Sequence, residues 1–324
     1  MMTTTVPLAP PVMPQRVVIG HAMHPQLAEV LLKRRPSLVI RGRLPGDVTA
    51  EDLAWADTYI GFRRPPAAAS MGSVRWVHST GAGVDGWLMG EQPLEAGILL
   101  TRSSESFGPS IAEWALARVF AFQQEVVPLL DAQRAERWAP RDVPRVAGTR
   151  ALIVGTGDIG RAMARLFAAV GMTVRGVSRS GTSGEPAFTS MHRLDALPEL
   201  VGDADWIALV LPDTPDTRGV ISREILARCR NAVLLNAGRG SVVDESAIPE
   251  ALDQGWLRGA ALDVFTVEPL PSHSPLWRDP RVLISPHSSG PSTVDATADG
   301  FLECVDALAR GVLPRWTIDR GRGY

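Results

Sequence analysis

The sequence is almost without lysine. Lys33 is the only lysine among 33 basic residues, and the other 32 are arginine. Schiff-base catalysis requires a lysine amine, and a Walker-type phosphate loop requires a Gly-Lys-Ser/Thr step, which Lys33 does not provide. A cationic catalytic group in this chain is therefore expected to be an arginine or a histidine.

Cysteine is scarce, and long apolar runs and an excess of one charge are missing. Two cysteines, Cys229 and Cys304, are too few for a disulfide framework or a cysteine-rich metal site, so we expect a reducing, cytoplasmic location and no metal. No apolar run approaches the ~18 residues of a membrane span. The formal net charge of -2 gives no electrostatic case for nucleic acid or an anionic membrane as partner. The first fourteen residues have no secretory signal and are predicted to be a mobile tail.

The 324 residues instead show strands alternating with helices, enough for about two domains at ~150 residues each. The predicted strands are 17–20, 38–41, 59–61, 74–78 and 98–101, then 151–155, 173–178, 206–211, 232–236, 260–265 and 282–285. The predicted helices are 24–35, 108–130, 159–170, 222–230 and 293–310, and 180–189 is predicted as a surface loop. Two such series predict an α/β fold of two doubly wound parallel-sheet lobes, Rossmann/flavodoxin-like.

A glycine fingerprint lies between the strand 151–155 and the helix that follows it. Gly155, Gly157 and Gly160 form a G-x-G-x-x-G pattern, with Thr156, Asp158 and Ile159 between them. In a strand–turn–helix context these glycines permit a tight turn, a close approach to a pyrophosphate and close packing of helix on strand. We therefore predict a dinucleotide site. A plain glycine-rich turn and a methyltransferase-like nucleoside site are the alternatives.

The end of the second strand of this series bears on the choice of coenzyme. NAD enzymes usually place an acidic residue there for the ribose 2′-hydroxyl. This chain has Ser178, Arg179 and Ser180, and an arginine can pair with a 2′-phosphate. The pattern favours NADP(H), with NAD(H) possible.

Three charged residues follow three consecutive late strands. Arg239 lies between two glycines, Glu268 precedes a proline, and His287 comes just after the strand 282–285. Ligands bind at this edge of an open α/β sheet. An arginine there can bind a carboxylate, an imidazolium can protonate a carbonyl oxygen as hydride arrives, and a carboxylate can hold the imidazole. The set predicts hydride transfer to a 2-oxo acid.

These residues resemble the D-isomer-specific 2-hydroxyacid dehydrogenases over nearly the whole chain. The similar motifs are Asn-x-x-Arg-Gly-x-x-Val-Asp-Glu at 236–245, Asp-Val-Phe-x-x-Glu-Pro at 263–269 and Pro-His at 286–287. The resemblance implies that Arg239 orients substrate, that His287 is the acid/base and that Glu268 is its partner. It also implies a substrate-binding lobe of residues 1–107 and 288–324, a dinucleotide-binding domain of 108–287, and an active site in the cleft between them.

The resemblance extends to further residues and to one branch of the family. Ala82, Gly83 and Val84 follow a strand of the first lobe and are implied to bind the substrate carboxylate, although a plain strand-to-helix turn ending at Asp85 is the alternative. The implied coenzyme contacts also include Leu211, Pro212, Ala237, Gly238 and Asp263. Asp213 departs from the family, where many members have an apolar residue. Ser178-Arg179 and the ending 319–324 are similar to the NADPH-preferring glyoxylate/hydroxypyruvate reductase branch.

The predicted function is therefore NADPH-dependent reduction of a small 2-oxo acid, such as glyoxylate or hydroxypyruvate, to the D-2-hydroxy acid. The predicted partners are this substrate and a second copy of the chain. Trp138 is expected in dimer packing or core, or reaching the partner subunit's site as in some relatives. The alternatives are a dehydrogenase of another substrate or of NAD preference, and a non-enzymatic dinucleotide sensor resembling corepressors of this fold.

Overall fold

A computed structural model describes residues 13–66, 68–89, 92–103 and 107–323. Most of the predicted N-terminal tail and the last residue of the ending 319–324 lie outside the described residues. The described chain divides into two compact units: the second spans Phe107–Pro291, and the residues before and after it form the first.

The first unit is built on a parallel sheet of five strands. They are β1 (Arg16–Gly20), β2 (Val39–Arg43), β3 (Thr58–Gly61), β4 (Trp76–Ser79) and β5 (Leu99–Arg102), in the order β2-β1-β3-β4-β5. The helices before the second unit are α1 (His24–Arg34), α2 (Ala50–Trp55) and α3 (Asp85–Leu88). The order is that of a doubly wound sheet, which changes direction between β1 and β3.

The second unit contains a parallel sheet of seven strands. They are β6 (Arg150–Val154), β7 (Thr173–Ser178), β8 (Ser190–Arg193), β9 (Trp206–Leu209), β10 (Ala232–Asn236), β11 (Leu257–Leu262) and β12 (Val282–Ile284). Its helices are α4 (Phe107–Gln123), α5 (Val126–Arg134), α6 (Asp158–Ala169), α7 (Leu197–Leu200), α8 (Arg223–Leu226) and α9 (Ile248–Asp253). The order β12-β11-β10-β9-β6-β7-β8 reverses between β6 and β9. The chain then returns to the first unit as α10 (Val294–Ala309).

Burial of the central strands on both faces explains why they are apolar throughout. All four residues of β9 and the last four of β6 are buried, as expected for strands of a parallel sheet that helices cover on both sides. In the first unit, one core lies under α2 and α3 and another under α1 and α10. The prediction of an α/β fold with two doubly wound parallel sheets is confirmed.

The predicted helix 108–130 is wrong as a single helix. α4 ends at Gln123, Glu125 takes a φ of 50°, and α5 begins at Val126. The reason is Pro128: in a continuous helix it would leave the carbonyl of Gln124 without its N–H partner and would clash with it. In the observed structure the proline lies in the first turn of α5, where no such N–H is needed.

Three other elements along the second sheet differ from what the sequence predicts. The strand β8 was not predicted, because Ser190–Arg193 is a half-exposed edge strand with no apolar run. The strand predicted at 260–265 is observed three residues earlier, as β11. The charged Arg258 can lie inside this strand because its guanidinium stacks on the ring of Trp206, 4.5 Å from the ring centroid. The helix predicted at 222–230 is only Arg223–Leu226.

The described residues were also examined for membrane helices, metal ligands and reactive thiols. Neither unit contains, in the part that the structure describes, a helix long and apolar enough to cross a membrane, or a group of three or more His, Cys, Asp or Glu side chains arranged to hold a metal ion. Cys229 and Cys304 are both buried free thiols, and burial raises the pKa of each to about 12. Neither thiol is therefore suited to nucleophilic chemistry at neutral pH.

Candidate active site

The glycine fingerprint forms the turn between β6 and α6. Gly155 has a φ of 105°, and a Cβ placed on it would lie 2.7 Å from the carbonyl oxygen of Val210. A Cβ on Gly160 would overlap the carbonyl oxygen of Gly155. A Cβ on Gly157 would meet nothing within 4 Å. Two of the glycines are thus required by the packing of the turn itself, whereas Gly157 faces open space that a ligand can approach.

The amino end of α6 is suited to bind an anion. Its first residue follows Gly157, and no side chain caps it. By contrast, Thr49 caps α2 and Thr293 caps α10, each through its hydroxyl. The helix dipole at this end favours a negative ligand. This uncapped turn and the open space at Gly157 fit the pyrophosphate of a dinucleotide.

The fingerprint also carries a negative charge, that of Asp158 in the first turn of α6. Its carboxylate forms an ion pair with Arg161 one turn further along the helix. The guanidinium offsets the carboxylate charge close to the position that a pyrophosphate would take. Thr156 and Ile159, the other two residues between the glycines, are half-buried in the same turn.

The first six residues of the loop after β7, residues 179–184, contain hydroxyl groups and an arginine but no acid. The Ser178 hydroxyl accepts a hydrogen bond from the N–H of Gly181 at 3.1 Å, and the hydroxyls of Ser180 and Thr182 lie 3.0 Å apart. Arg179 is exposed between the two serines. The next acidic residue along the chain is Glu185, which pairs with Arg165. The loop therefore presents hydroxyls and a positive charge at the end of β7.

Arg239 lies on a tightly packed loop at the end of β10. The buried side chain of Asn236 fixes this loop, since its Oδ1 accepts from the N–H of Gly238 at 3.1 Å and its Nδ2 donates to the carbonyl of Arg239 at 3.0 Å. A Cβ on Gly238 would come within 2.9 Å of the Leu211 backbone, and one on Gly240 would overlap that of Phe265. The glycines let the loop pass between its neighbours and hold the half-buried Arg239 in place.

An acidic residue lies close to this arginine, on the loop after β9 that also contains the buried Leu211 and the half-buried Pro212. Asp213 forms a two-pronged ion pair with Arg218, with the Nε–Oδ1 distance at 2.7 Å and the Nη2–Oδ2 distance at 3.2 Å. Burial raises the pKa of Asp213, but the hydrogen bonds of Arg218 and the positive charges of Arg218 and Arg239 outweigh it, so the pKa lies below its ordinary value. The carboxyl group of Asp213 is therefore ionised, and its negative charge lies near Arg239.

The catalytic pair predicted from sequence is in contact. The Nδ1 of His287 lies 2.8 Å from Oε2 of Glu268, and the other carboxylate oxygen accepts the N–H of Phe265 at 3.0 Å. Both side chains are partly exposed, at 44% for His287 and 37% for Glu268. Because Nδ1 faces the carboxylate, the ring nitrogen turned away from it is Nε2, which is the atom that can exchange a proton with a substrate.

Asp263, implied as a coenzyme contact, is fully buried and holds the backbone of the His287 loop. Its two carboxylate oxygens accept the N–H groups of Ser288 at 2.9 Å and Ser289 at 3.0 Å, and its carbonyl accepts the N–H of His287 at 2.8 Å. His287 has a φ of 50°, a conformation that few non-glycine residues adopt. These hydrogen bonds stabilise that backbone and so aim the imidazole.

In the first unit, the implied substrate loop follows β4. Val84 is buried, Ala82 and Gly83 are half-buried, and α3 begins at Asp85. The carbonyl of Ala82 accepts a hydrogen bond from Arg102 Nη1 at 2.7 Å, and the carbonyl of Thr80 accepts one from the Ser292 hydroxyl at 3.0 Å. These bonds engage carbonyls on the loop and fix its backbone.

The structure thus brings the fingerprint, Ser178–Ser180, Arg239, Glu268 and His287 to the carboxyl edge of one sheet, within the second unit, together with Leu211, Pro212, Ala237, Gly238 and Asp263. Sequence reasoning missed Asn236, Trp114 and Ser285 as supports of this edge. Trp114 lies on the buried face of α4 together with Ile111 and Ala115. An indole N–H on an otherwise apolar helix face needs a hydrogen-bond partner, and this was the signal in the sequence.

Comparisons with known proteins identify the class of protein. A family model for the D-isomer specific 2-hydroxyacid dehydrogenase, NAD binding domain, matches residues 116–289. Glyoxylate/hydroxypyruvate reductase A of Serratia proteamaculans is 32% identical over 306 residues, which cover 91% of this chain and 94% of that protein.

Two solved structures are similar over almost their whole length. A D-isomer specific 2-hydroxyacid dehydrogenase from Xanthobacter autotrophicus Py2, in complex with NADPH and MES, has a TM-score of 0.87 and 30% identity, covering 96% of this chain and 100% of that one. The NADPH-dependent glyoxylate/hydroxypyruvate reductase from Sinorhizobium meliloti, in complex with NADP and sulfate, has a TM-score of 0.84 and 26% identity at the same coverage. The chain belongs to the D-isomer specific 2-hydroxyacid dehydrogenase family and is an NAD(P)-dependent oxidoreductase.

Proposed function

We propose that this enzyme reduces a small 2-oxo acid to the D-2-hydroxy acid with NADPH, and that glyoxylate and hydroxypyruvate are its substrates. The observation that carries the proposal is the contact between His287 and Glu268, at the same sheet edge as Arg239 and the glycine fingerprint. The second unit would hold the coenzyme and the first the substrate. The relatives named glyoxylate/hydroxypyruvate reductase support the choice of substrate.

The proposed roles follow from the chemistry of each side chain. The planar guanidinium of Arg239 binds the substrate carboxylate and orients the adjacent carbonyl. When bound, the reduced coenzyme supplies the hydride. Nε2 of His287 donates a proton to the carbonyl oxygen, and the carboxylate of Glu268 stabilises the charged imidazole before transfer. The N–H groups of Ala82, Gly83 and Val84 are proposed as a second carboxylate-binding element.

The proposed residues that hold the coenzyme are those of the uncapped α6 turn, residues 155–160, and of the loop 178–180. The preference for NADPH is supported by Arg179, which lies beside two serine hydroxyls where an acidic residue would repel a 2′-phosphate. The similar structures solved with NADPH or NADP point the same way. Leu211, Pro212, Ala237, Gly238 and Asp263 are proposed to line the remainder of the site.

A product analysis tests the proposal directly. Hydroxypyruvate and NADPH are incubated with the enzyme, and the glycerate formed is resolved by chiral chromatography. The proposal predicts D-glycerate in an amount equal to the NADPH consumed. L-Glycerate, or consumption of NADPH without glycerate, would contradict it.

A homodimer is proposed as the assembly. Six large apolar side chains within residues 120–143 of the second unit are exposed: Phe120, Val126, Leu129, Leu130, Trp138 and Val143. Trp138 is 94% exposed, and this concentration of apolar surface is typical of a covered interface. Light scattering after size exclusion is expected to give twice the chain mass. The Leu129→Glu/Trp138→Ser variant is expected to give the chain mass, and an unchanged dimer would place the interface elsewhere.

A further inference from the structure

A chain of hydrogen bonds runs from α4 to the loop that bears His287. The indole Nε1 of Trp114 donates to the Ser285 hydroxyl at 2.9 Å, and this hydroxyl donates to Oδ1 of Asp263 at 2.5 Å. The same Oδ1 accepts the N–H of Ser288 at 2.9 Å. Trp114 is 6% exposed and Ser285 is 7% exposed, so the bonds form away from solvent. In such surroundings each bond constrains its partners more than it would in water.

The same face of α4 also packs against the far end of the loop. A Cβ on Gly290 would lie 2.9 Å from the side chain of Ile111 and 3.3 Å from that of Phe107. Ile111 and Trp114 are three residues apart and so lie on one side of the helix. The loop from Ser285 to Gly290 is therefore fixed by a hydrogen bond at its beginning and by close packing at its end, both to α4.

We infer that Trp114 is a positioning residue for His287, acting through Ser285 and Asp263. The indole N–H orients the Ser285 hydroxyl so that its proton points to Asp263. Asp263 in turn holds the N–H groups that keep His287 at its φ of 50° and its imidazole against Glu268. Trp114 touches no reacting atom. The inference rests on the proposed function, since it concerns the proton donor of that reaction.

The test is the substitution Trp114→Phe, which keeps an aromatic ring under Arg118 and removes only the donor and the second ring. Trp206→Phe is the matched control, because its Nε1 also donates to a hydroxyl, that of Thr149 at 3.0 Å, from the start of β9 at the opposite edge of the sheet. Loss of one buried hydrogen bond corresponds to a factor of about ten. Trp114→Phe is therefore expected to lower kcat about tenfold, with the KM for NADPH unchanged, whereas Trp206→Phe keeps the wild-type kcat.

Amide hydrogen exchange supplies a readout that does not depend on activity. In Trp114→Phe the amides of Ser288 and Ser289 are expected to exchange faster than in the wild type, while in Trp206→Phe they keep their protection. Unchanged exchange in Trp114→Phe would overturn the inference even if the enzyme proved to have another substrate. Faster exchange in a protein that reduces no 2-oxo acid would instead contradict the proposed function and leave the positioning of the loop supported.

Three further variants separate positioning from a general loss of structure. Ser285→Ala is a small change that breaks the same chain and should match Trp114→Phe, and Ser285→Thr should restore activity because it keeps the hydroxyl. In a His287→Ala background, Trp114→Phe should reduce the residual rate no further, since a positioning residue acts only through its target. An additional tenfold loss in that background would overturn the inference.

Discussion

The Nδ1 of His287 and Oε2 of Glu268 are 2.8 Å apart, although the two residues are 19 positions apart along the chain. The carboxylate comes from the loop after β11 and the imidazole from the loop after β12, and these two strands are neighbours in the sheet. Parallel pairing thus places both loops at one edge. This contact fixes the orientation of the imidazole and selects Nε2 as the ring nitrogen that faces a substrate.

Removal of the imidazole is expected to abolish most of the rate. His287→Ala should lower kcat for reduction by roughly 10²- to 10⁴-fold, the usual contribution of a general acid, with little change in coenzyme affinity. Glu268→Gln keeps the shape and loses the charge, so a smaller fall is expected. Steady-state kinetics check both variants, with circular dichroism to confirm folding. Near-normal turnover in His287→Ala would rule out its role as proton donor.

Arg239 is expected to act through its two-pronged geometry as well as its charge. Arg239→Lys retains the charge but loses the planar guanidinium with its paired N–H donors. A loss of about 10- to 100-fold in kcat/KM for the 2-oxo acid is therefore expected. Arg218→Lys is the control, since Arg218 pairs with Asp213 and has no proposed contact with substrate. Equal effects of the two substitutions would argue that Arg239 only supports the loop.

The loop after β7 makes the coenzyme preference testable. Arg179→Ala should raise the KM for NADPH about 10- to 100-fold, by loss of a charge-assisted pair with the 2′-phosphate, and leave the KM for NADH nearly unchanged. Ser178→Asp should weaken NADPH further by repulsion. Arg165→Ala removes an exposed arginine of the same unit and serves as control. An NADPH preference that survives both loop substitutions would locate the discrimination elsewhere.

His78 is expected to make the first unit sensitive to acid. Its ring is fully buried against Trp76 and Phe301, and burial lowers its pKa to about 3. The unfolded chain binds a proton below about pH 6.5 while the folded one does not, so stability is full above that pH and falls as the pH drops towards 3, by up to about 1.4 kcal/mol per pH unit. Urea unfolding at a series of pH values measures this slope.

The variant His78→Gln should lose that part of the slope, since glutamine can still bond to the hydroxyls of Thr101 and Ser103, which lie 2.8 and 3.2 Å from the histidine nitrogens. His273 is exposed, and His273→Gln should keep the wild-type slope. A slope unchanged by His78→Gln would show that another group governs acid stability.

The sequence allowed the fold class and the pairing of motifs with strand ends to be predicted, because apolar runs and glycine spacing are local signals. The break at Glu125 could have been foreseen from Pro128, but the apolar periodicity on both sides hid it. The edge strand β8 has too few apolar residues to be predicted from sequence, and it forms in the fold by pairing with β7. Supports such as Trp114 and Asn236 depend on which loops meet, which only the folded chain reveals.

The measurement that tests the central claim most directly follows oxidation of NADPH and of NADH with glyoxylate, hydroxypyruvate, pyruvate, phenylpyruvate and 2-oxoisocaproate, for the wild type and His287→Ala side by side. We expect turnover with NADPH, fastest with glyoxylate or hydroxypyruvate, and its loss in the variant. Turnover with NADH alone would keep the mechanism and refute the coenzyme preference. Tight binding of a coenzyme with no turnover of any 2-oxo acid would contradict the account and favour a dinucleotide sensor.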